Sequence, residues 1–468
     1  LPKIVPLHVP EAGVIGDVTL VKELPSEVRR ESQSRVGGEV SPLTSIYNQE
    51  FTEWAAAYAG PKFHAVLSDI PYGLHFMNAK WDDPKQMTKS QVVRYLPSGQ
   101  RMTTVEENIE FQNAVRKWGE AMLPLLYPGA LVMMFAAPRM WEWVATGMQL
   151  AGFLHWDTIM WIHAQGFPKA QDIGGMITKA TGEKPIAEVP NPAFTFQKNS
   201  GQTSTGWKGV VPETKKIFAN QWQGYKTAAL KPAHEPILCF RAPGQGMTCA
   251  ERALQFGTGA LNIDGGRIGT ETISTHNAPP STFAGGEPGR RSDTKSYKEH
   301  SGRYPANLIL DEPSAEMLDE QSGISVSGIQ RQPRGTGGIW SGVSNRPCGP
   351  QYGDRGGASR FFYHAKASKK ERNAGCEDLP NDHPCVKPIA LTRYLATLLL
   401  PPDSVSPRRL MVPFAGSGSE MIGAKQAGWD EIVGIEQKPR YCEIAKRRLK
   451  ALADCCAAVH QMGQNDAA

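Results

Sequence analysis

The sequence predicts an α/β protein built on a doubly wound, mostly parallel sheet and interrupted by a large irregular insertion. Three observations lead there. Short apolar runs alternate with helical spacing between residues 63 and 162 and again between 389 and 452, the pattern of strands covered by helices on both faces. Near the C-terminus, strand, glycine loop, helix, strand and acidic residue follow one another as a unit. From about 166 to 380 the alternation fades into Gly and Pro clusters and scattered aromatics. A structureless loop of that length is improbable in a compact domain, so a separate module with its own short elements is expected there.

Taken in order, residues 1–44 show no strong periodicity and read as an extension. Phe63 to Ser68 is a short apolar strand running into the loop Asp69-Ile70-Pro71-Tyr72-Gly73. Ile109, Val115, Trp118, Met122 and Leu126 have helical spacing, Ala130 to Ala136 reads as a buried strand, and Trp141 to Leu150 as a helix stopped by Gly152. His155 to Ile162 is the next strand. Pro236 to Phe240 and Asn307 to Leu310 are short apolar runs inside the irregular stretch. Then come a helix from Ile389 to Leu400, a strand Arg409 to Val412, the glycine loop Pro413 to Gly418, and a helix Glu420 to Ala427 ended by Gly428. A strand from Glu431 to Ile435 closes on Glu436, and Arg440 to Leu452 is a basic helix whose Lys446-Arg447-Arg448 face is expected in solvent. The division that follows is 1–44, 45–165, 166–380, 381–455 and a tail, 456–468.

Composition narrows the class. With 40% hydrophobic and 21% charged residues over 468 positions, the chain can bury a core, which excludes wholesale disorder. Its 47 Gly and 36 Pro predict long irregular segments, yet no G-X-Y period appears. The 51 Lys+Arg against 46 Asp+Glu point only faintly to an acidic partner. Eight cysteines without a CxxC pair read as neither a zinc site nor a disulfide framework, so no metal is expected, and Cys455-Cys456 as incidental. No apolar run reaches 18 residues and the first residues lack a signal-peptide core, so a soluble intracellular protein without a membrane partner is expected.

Two loops carry chemistry. Glycines in Phe414-Ala415-Gly416-Ser417-Gly418 let the backbone turn tightly and approach a ligand, and Glu436, 20 residues after Gly416, can hydrogen-bond ribose hydroxyls. A lone Gly-x-Gly is weak, being met in many strand-to-helix turns. With Glu436 in place an adenosine-containing ligand is the better reading, and the missing third glycine favours a small nucleoside over a dinucleotide. In the loop Asp69-Ile70-Pro71-Tyr72, a carboxylate and a carbonyl held rigid by Pro71 can accept hydrogen bonds from one amino group, while Tyr72 offers a face for stacking a base. Such a pair would direct an amine lone pair at an electrophile, catalysis by positioning.

Together, Asp69-Ile70-Pro71-Tyr72 and Pro413-Phe414-Ala415-Gly416-Ser417-Gly418 resemble the two signature motifs of S-adenosylmethionine-dependent DNA amino-methyltransferases, in the order of the beta class. His383-Pro384-Cys385-Val386-Lys387-Pro388 is similar to the family's His-Pro-x-x-Lys-Pro element, which the resemblance places at the cofactor's methionine end. Ile46 to Glu50 resembles the strand whose acid faces the cofactor adenine. Further blocks, among them Leu230-Lys231-Pro232-Ala233-His234-Glu235-Pro236 and Arg360-Phe361-Phe362-Tyr363, are similar to phage and prophage members. The resemblance covers roughly 45–452. It implies a circularly permuted Rossmann-like methyltransferase fold, with the cofactor-binding half C-terminal to the catalytic half and a target-recognition module inserted between. It also implies S-adenosyl-L-methionine as cofactor, double-stranded DNA as partner, N6-adenine as target with N4-cytosine the rival, a bacterial or phage-infected cytoplasm, and room for a homodimer or a restriction partner. A cofactor-binding DNA-recognition protein with little catalysis is the other alternative.

Departures accompany the resemblance. Val412 stands where the family usually has an acid before Pro-Phe, Glu50 where Asp is usual, and Cys385 where Thr is usual. Pro384-Cys385 is also the pair that cytosine-C5 enzymes use for thiolate attack, but within His-Pro-x-x-Lys-Pro a small semi-buried cysteine is the better reading. For DNA, residues 330–372 hold nine Lys/Arg (Arg331, Arg334, Arg346, Arg355, Arg360, Lys366, Lys369, Lys370 and Arg372) against Asp354 and Glu371. Trp340, Tyr352, Phe361, Phe362 and Tyr363 lie among them. A solvated basic loop is the commoner fate of such a run, but beside these motifs it becomes the expected phosphate-binding stretch.

Overall fold

Fifteen strands follow one another among the described residues. The first four are β1 (Leu43–Tyr47), β2 (Phe63–Asp69), β3 (Leu126–Phe135) and β4 (Leu154–Ile162). Next come β5 (Ala187–Pro190), β6 (Thr214–Ile217), β7 (His234–Arg241), β8 (Ile268–His276), β9 (Tyr297–Arg303) and β10 (Leu308–Asp311). The last five are β11 (Ser325–Val326), β12 (Arg355–Gly356), β13 (Tyr363–Ala365), β14 (Arg409–Pro413) and β15 (Glu431–Ile435). The computed structural model describes residues 43–74, 105–164, 170–182, 187–190, 213–217, 221–276, 297–326, 355–365 and 369–451. All lie in the unit Pro42–Ala468, while the other unit, Leu1–Ser41, and Cys455-Cys456 lie outside the described residues.

Nine strands make one sheet in the order β1-β15-β14-β2-β3-β7-β4-β10-β13. Every neighbouring pair is parallel except the two that involve β7. The chain leaves β4 at His163 and re-enters at His234 on the same edge, where Ile162 pairs with His234, so β7 has to run the other way. The remaining strands form three antiparallel pairs, β5–β6, β8–β9 and β11–β12.

Both faces of the sheet are covered, which explains the unbroken apolar runs in the sequence. On one face, Val66, Val132, Met134, Leu238 and Met411 pack against Phe51 and Trp54 of the helix Phe51–Ala57, Phe111 and Val115 of Val105–Met122, and Met148 of Trp141–Leu150. On the other, Ala65, Leu67, Met133, Ile237 and Leu410 meet Leu391 and Leu395 of Ile389–Leu399, Ile422 of Ser419–Ala427, and Leu449 of the helix 439–451. Strand residues alternate between the two sets, as a period of two requires.

Two expectations are corrected by this topology. Residues 166–380 are not a module apart from the sheet, because β7, β10 and β13 all come from that stretch and lie within the nine strands. Each is only three to eight residues long, and the three lie far apart in sequence, which conceals the alternation. Ile109, read as part of the apolar face of its helix, is 43% exposed, and the buried stripe is carried by Phe111, Val115, Trp118 and Met122.

Candidate functional site

A cavity of about 1650 Å³ runs along the edge where the parallel strands end. Its walls come from the residues just after β1 (Gln49 to Thr52), β2 (Asp69 to Tyr72), β3 (Ala137 to Arg139), β14 (Phe414 to Ser417) and β15 (Glu436 to Lys438), and from the start of β7 (His234, Glu235). Strand order reverses at the β14–β2 boundary, and open α/β sheets bind ligands at such a point. The volume exceeds the roughly 300–1,000 Å³ of an ordinary small-ligand site, leaving room for two ligands side by side.

The glycine loop is held from several sides. Phe414 (φ +56°), Gly416 (φ +51°) and Gly418 (φ +79°) all adopt left-handed backbone, and the Phe414 ring lies 4.7 Å from Trp118. A Cβ on Gly416 would come within 2.8 Å of His383 Nε2, so the bare backbone is what lets His383 close over the loop. Gly416 N donates to Glu436 Oε2 at 2.9 Å, and Lys438 N to Glu436 Oε1 at 2.8 Å. Burial pushes the Glu436 carboxyl up, against those two amide bonds. Glu50 caps the helix Phe51–Ala57, accepting from Thr52 N (2.7 Å) and Glu53 N (3.0 Å), and faces the same cavity.

From beneath, Arg448 fastens the loop. It is 1% exposed, and its Nη1 donates to Ser417 O (2.6 Å), Ser417 Oγ and Ser419 Oγ, while Nη2 reaches Glu371 O at 3.1 Å. The expectation of a solvated Lys446-Arg447-Arg448 face therefore fails at Arg448. The helix turns that residue inward, where the loop's carbonyls need donors. Arg447 does sit at the surface, paired with Asp378 and Glu443.

Asp69 to Tyr72 form one corner of a buried ionic cluster. Lys387, 5% exposed, lies 2.9 Å from Asp69 Oδ2, 3.1 Å from Glu235 Oε2 and 2.9 Å from the Tyr72 hydroxyl. That hydroxyl in turn lies 2.9 Å from Asp69 Oδ1 and 3.1 Å from Glu235 Oε2, so its one proton is shared between two carboxylates. Burial raises the Asp69 carboxyl, Lys387 opposing and Glu235 adding to the shift. Burial alone would lower the Lys387 ammonium, but Asp69 and Glu235 hold it well above its usual value. Tyr72 is pushed well up, by burial first and then by the two acids. The result is a carboxylate of high basicity and an aromatic ring clamped by its hydroxyl, both facing open space.

The structure sorts the remaining expected residues. Ile70, Pro71, Ala415 and Ser417 line the cavity with those above. His383 lines it as well, its ring held by Cys385 O at 2.9 Å, and burial lowers it to about 4, so it is neutral. Lys387 and Pro388, expected at the cofactor, are not in the wall: Lys387 turns to Asp69, and Pro388 is the cap of the helix Ile389–Leu399. Gly418 also stands behind the wall, packed where a Cβ would meet Ala445 at 2.9 Å.

The expected DNA-binding stretch fares differently. Arg331, Arg334, Arg346 and Lys366 lie outside the described residues, as do the side chains of Lys369 and Lys370. Arg355 is exposed on β12, but Arg360 is committed to the carbonyls of Gly356 and Gly357, both at 2.7 Å, and stacks over Phe361. Tyr363 stacks on Tyr394 at 3.8 Å inside the fold. Neither Arg355 nor Arg360 lines the cavity. Among the described residues, the lysines and arginines in its wall are instead Lys117, Arg139, Lys231 and Lys438, which no local charge run announces.

Comparison with known proteins places the chain in a family. The N6/N4 methyltransferase family model, described as DNA methylase, matches residues 63–447. The chain belongs to this DNA methylase family. A relative is the Type II methyltransferase M.HindIII of Haemophilus influenzae, 24% identical over 237 residues, which are 47% of this chain and 65% of that protein, just under two thirds of its length. Among solved structures, the M1.HpyAVI–SAM complex aligns with a TM-score of 0.34 at 12% identity, covering 87% of this chain and 100% of that one. The cytosine-N4-specific PvuII DNA methyltransferase aligns with a TM-score of 0.39 at 10% identity, covering 89% and 92%.

Three residues of the candidate site escaped the sequence reading: Glu235, Glu420 and Arg448. Glu235 sits in the block Leu230 to Pro236, quoted above without a role. Glu420, one residue into the helix after the glycine loop, looks like an ordinary first-turn acid until its burial is seen.

Proposed function

We propose that this methylase transfers a methyl group from S-adenosylmethionine to the N6 amine of an adenine flipped out of double-stranded DNA. The observation that carries the reading is the shared cavity. Glu50, Glu436, the glycine loop and Asp69 to Tyr72 line one space in the strand order β1, β15, β14, β2. The position of β14 and β15, last in the chain yet between β1 and β2, supports a circularly permuted fold of beta-class order.

The residues present fit the cofactor: a glycine cradle that a Cβ would fill, paired acids after β1 and β15 for adenine and ribose, and a neutral imidazole beside them. When bound, S-adenosylmethionine supplies a methyl group on a positively charged sulfur. The chain's part is to place the amine. Asp69 and the Ile70 carbonyl accept its two N–H groups and direct the lone pair at the methyl carbon. Tyr72 stacks the flipped base, since an amine inside a duplex could not reach the cavity. The raised basicity of Asp69 makes it a strong acceptor and a station for the proton the amine sheds. Asp rather than Ser at position 69 favours adenine over cytosine through the family resemblance. Target recognition is assigned to the parts of 166–380 that leave the sheet, and the setting to a bacterial or phage-infected cytoplasm.

The test is nucleoside mass spectrometry of duplex DNA incubated with protein and methyl-labelled cofactor. N6-methyladenine is expected; N4-methylcytosine alone would overturn the choice of base, and no transfer would overturn the enzyme. Asp69→Ala is expected to lower transfer by roughly 10²–10³-fold or more, as when a group acting in the transition state is removed, while S-adenosylhomocysteine still binds.

A further inference from the structure

Among the described residues, five acids line the cavity: Glu50, Asp69, Glu235, Glu420 and Glu436. Four of them are engaged. Glu50 takes the amides of Thr52 and Glu53, Glu436 those of Gly416 and Lys438, and Asp69 and Glu235 share Lys387 and the Tyr72 hydroxyl. Glu420 differs. It is 4% exposed, and its Oε1 is buried without a hydrogen-bond partner among the described residues. Leaving a buried carboxylate oxygen unmatched is costly, so such an atom in a ligand cavity marks a place that a ligand completes.

What would complete it follows from its position. Glu420 comes two residues after Gly418, in the first turn of the helix Ser419–Ala427, and shares the cavity wall with Ser417, Ser419, His383 and Asp69. At position 412, where an acid would usually precede Pro-Phe, this chain has Val412. That residue is fully buried in the core with Leu410, Ile432 and Trp429, out of reach of any ligand. The amino-acid end of S-adenosylmethionine carries an ammonium group that needs an anionic acceptor when taken out of water.

We infer that Glu420 is the carboxylate that receives the cofactor's ammonium group, replacing from the start of the helix the acid that Val412 cannot supply. The assignment rests on the cofactor proposed above. It makes Glu420 a binding residue that distinguishes ligands with an intact amino-acid end from those without one.

Two probes separate this role from a structural one. S-adenosylhomocysteine has the amino-acid end, whereas 5′-methylthioadenosine keeps the adenosine and thioether and lacks it. Binding of both to the full chain is measured by titration calorimetry for wild type and Glu420→Gln. The variant is expected to bind S-adenosylhomocysteine roughly 10- to 100-fold more weakly, the worth of one charge-assisted hydrogen bond, and 5′-methylthioadenosine as wild type does. Unchanged S-adenosylhomocysteine affinity, or an equal fall for both ligands, overturns the assignment. A wild-type chain that takes up neither ligand overturns the cofactor reading and this inference with it.

Discussion

Lys387 is the most exacting place to test the reading of the cluster. Its ammonium, 5% exposed, is the cation set between Asp69 at 2.9 Å and Glu235 at 3.1 Å. Lys387→Met keeps the stem and the volume but removes the charge, leaving two carboxyl groups that share the Tyr72 hydroxyl. Breaking a buried ion pair from one side costs about 3–5 kcal/mol. Because Glu235 is a quarter exposed, the lower end, about 3 kcal/mol, is expected. The loss has a direction in pH. Without the ammonium, one carboxyl of the pair has its folded pKa raised above its unfolded value, so the unfolded state releases that proton first as pH rises. The variant's deficit is therefore full at pH 8.5 and shrinks toward pH 5.5, where one carboxyl holds a proton. Urea unfolding followed by tryptophan fluorescence at the two pH values measures it. A deficit below about 1 kcal/mol, or one equal at both pH values, would refute the argument that Lys387 balances buried charge.

Other outcomes follow from the loop and its neighbours. Gly416→Ala forces an alanine into left-handed backbone, a cost of about 1–2 kcal/mol, and drives its Cβ against His383; S-adenosylhomocysteine affinity should fall at least tenfold by calorimetry with the circular dichroism spectrum unchanged. Arg448→Met removes the donors from Ser417 O and Glu371 O, and with each unmatched carbonyl costing about 1–3 kcal/mol, urea unfolding should show a loss of about 2–6 kcal/mol; stability within about 0.5 kcal/mol of wild type would contradict the stapling role. Burial and the nearby Asp69 carboxylate push Glu420 up to about 7, with Lys387 and Arg448 opposing. Its folded pKa is thus raised, so the stability it contributes is full below the unfolded value and is lost as pH rises through about 7. Wild type minus Glu420→Gln should fall by about 3 kcal/mol between pH 4.5 and pH 8.5, and saturating S-adenosylhomocysteine should recover much of it at the upper pH.

Local chemistry made much of the site legible. The turn Asp69 to Tyr72 and the glycine loop depend on neighbours a few positions away, Glu436 stands at a fixed distance of 20 residues after Gly416, and strands and helices announce themselves by periods of two and 3.6. The helix Trp141–Leu150 and the strand Glu431–Ile435 were readable to the residue for that reason. The short strands β10 and β13 were harder, since four and three residues hardly establish a period. Charge runs misled in both directions. Arg360, in a basic stretch, is consumed by turn carbonyls, and Arg448, in another, is buried.

By itself the sequence determined the kinds of element, the order of the two motifs, and which acids and glycines stand in the two loops. Only the tertiary structure decided their partners. Lys387 meets Tyr72 from 315 positions away, Glu235 meets it from 163, and β7 enters a sheet that its neighbours in sequence do not foretell. The physical reason is that a side chain's burial, and so its charge and its need for a ligand, is set by every strand that packs beside it. A run of residues records its own period and its own turns; it does not record that Val412 faces the core while Glu420 is left with an unmatched oxygen in the cavity.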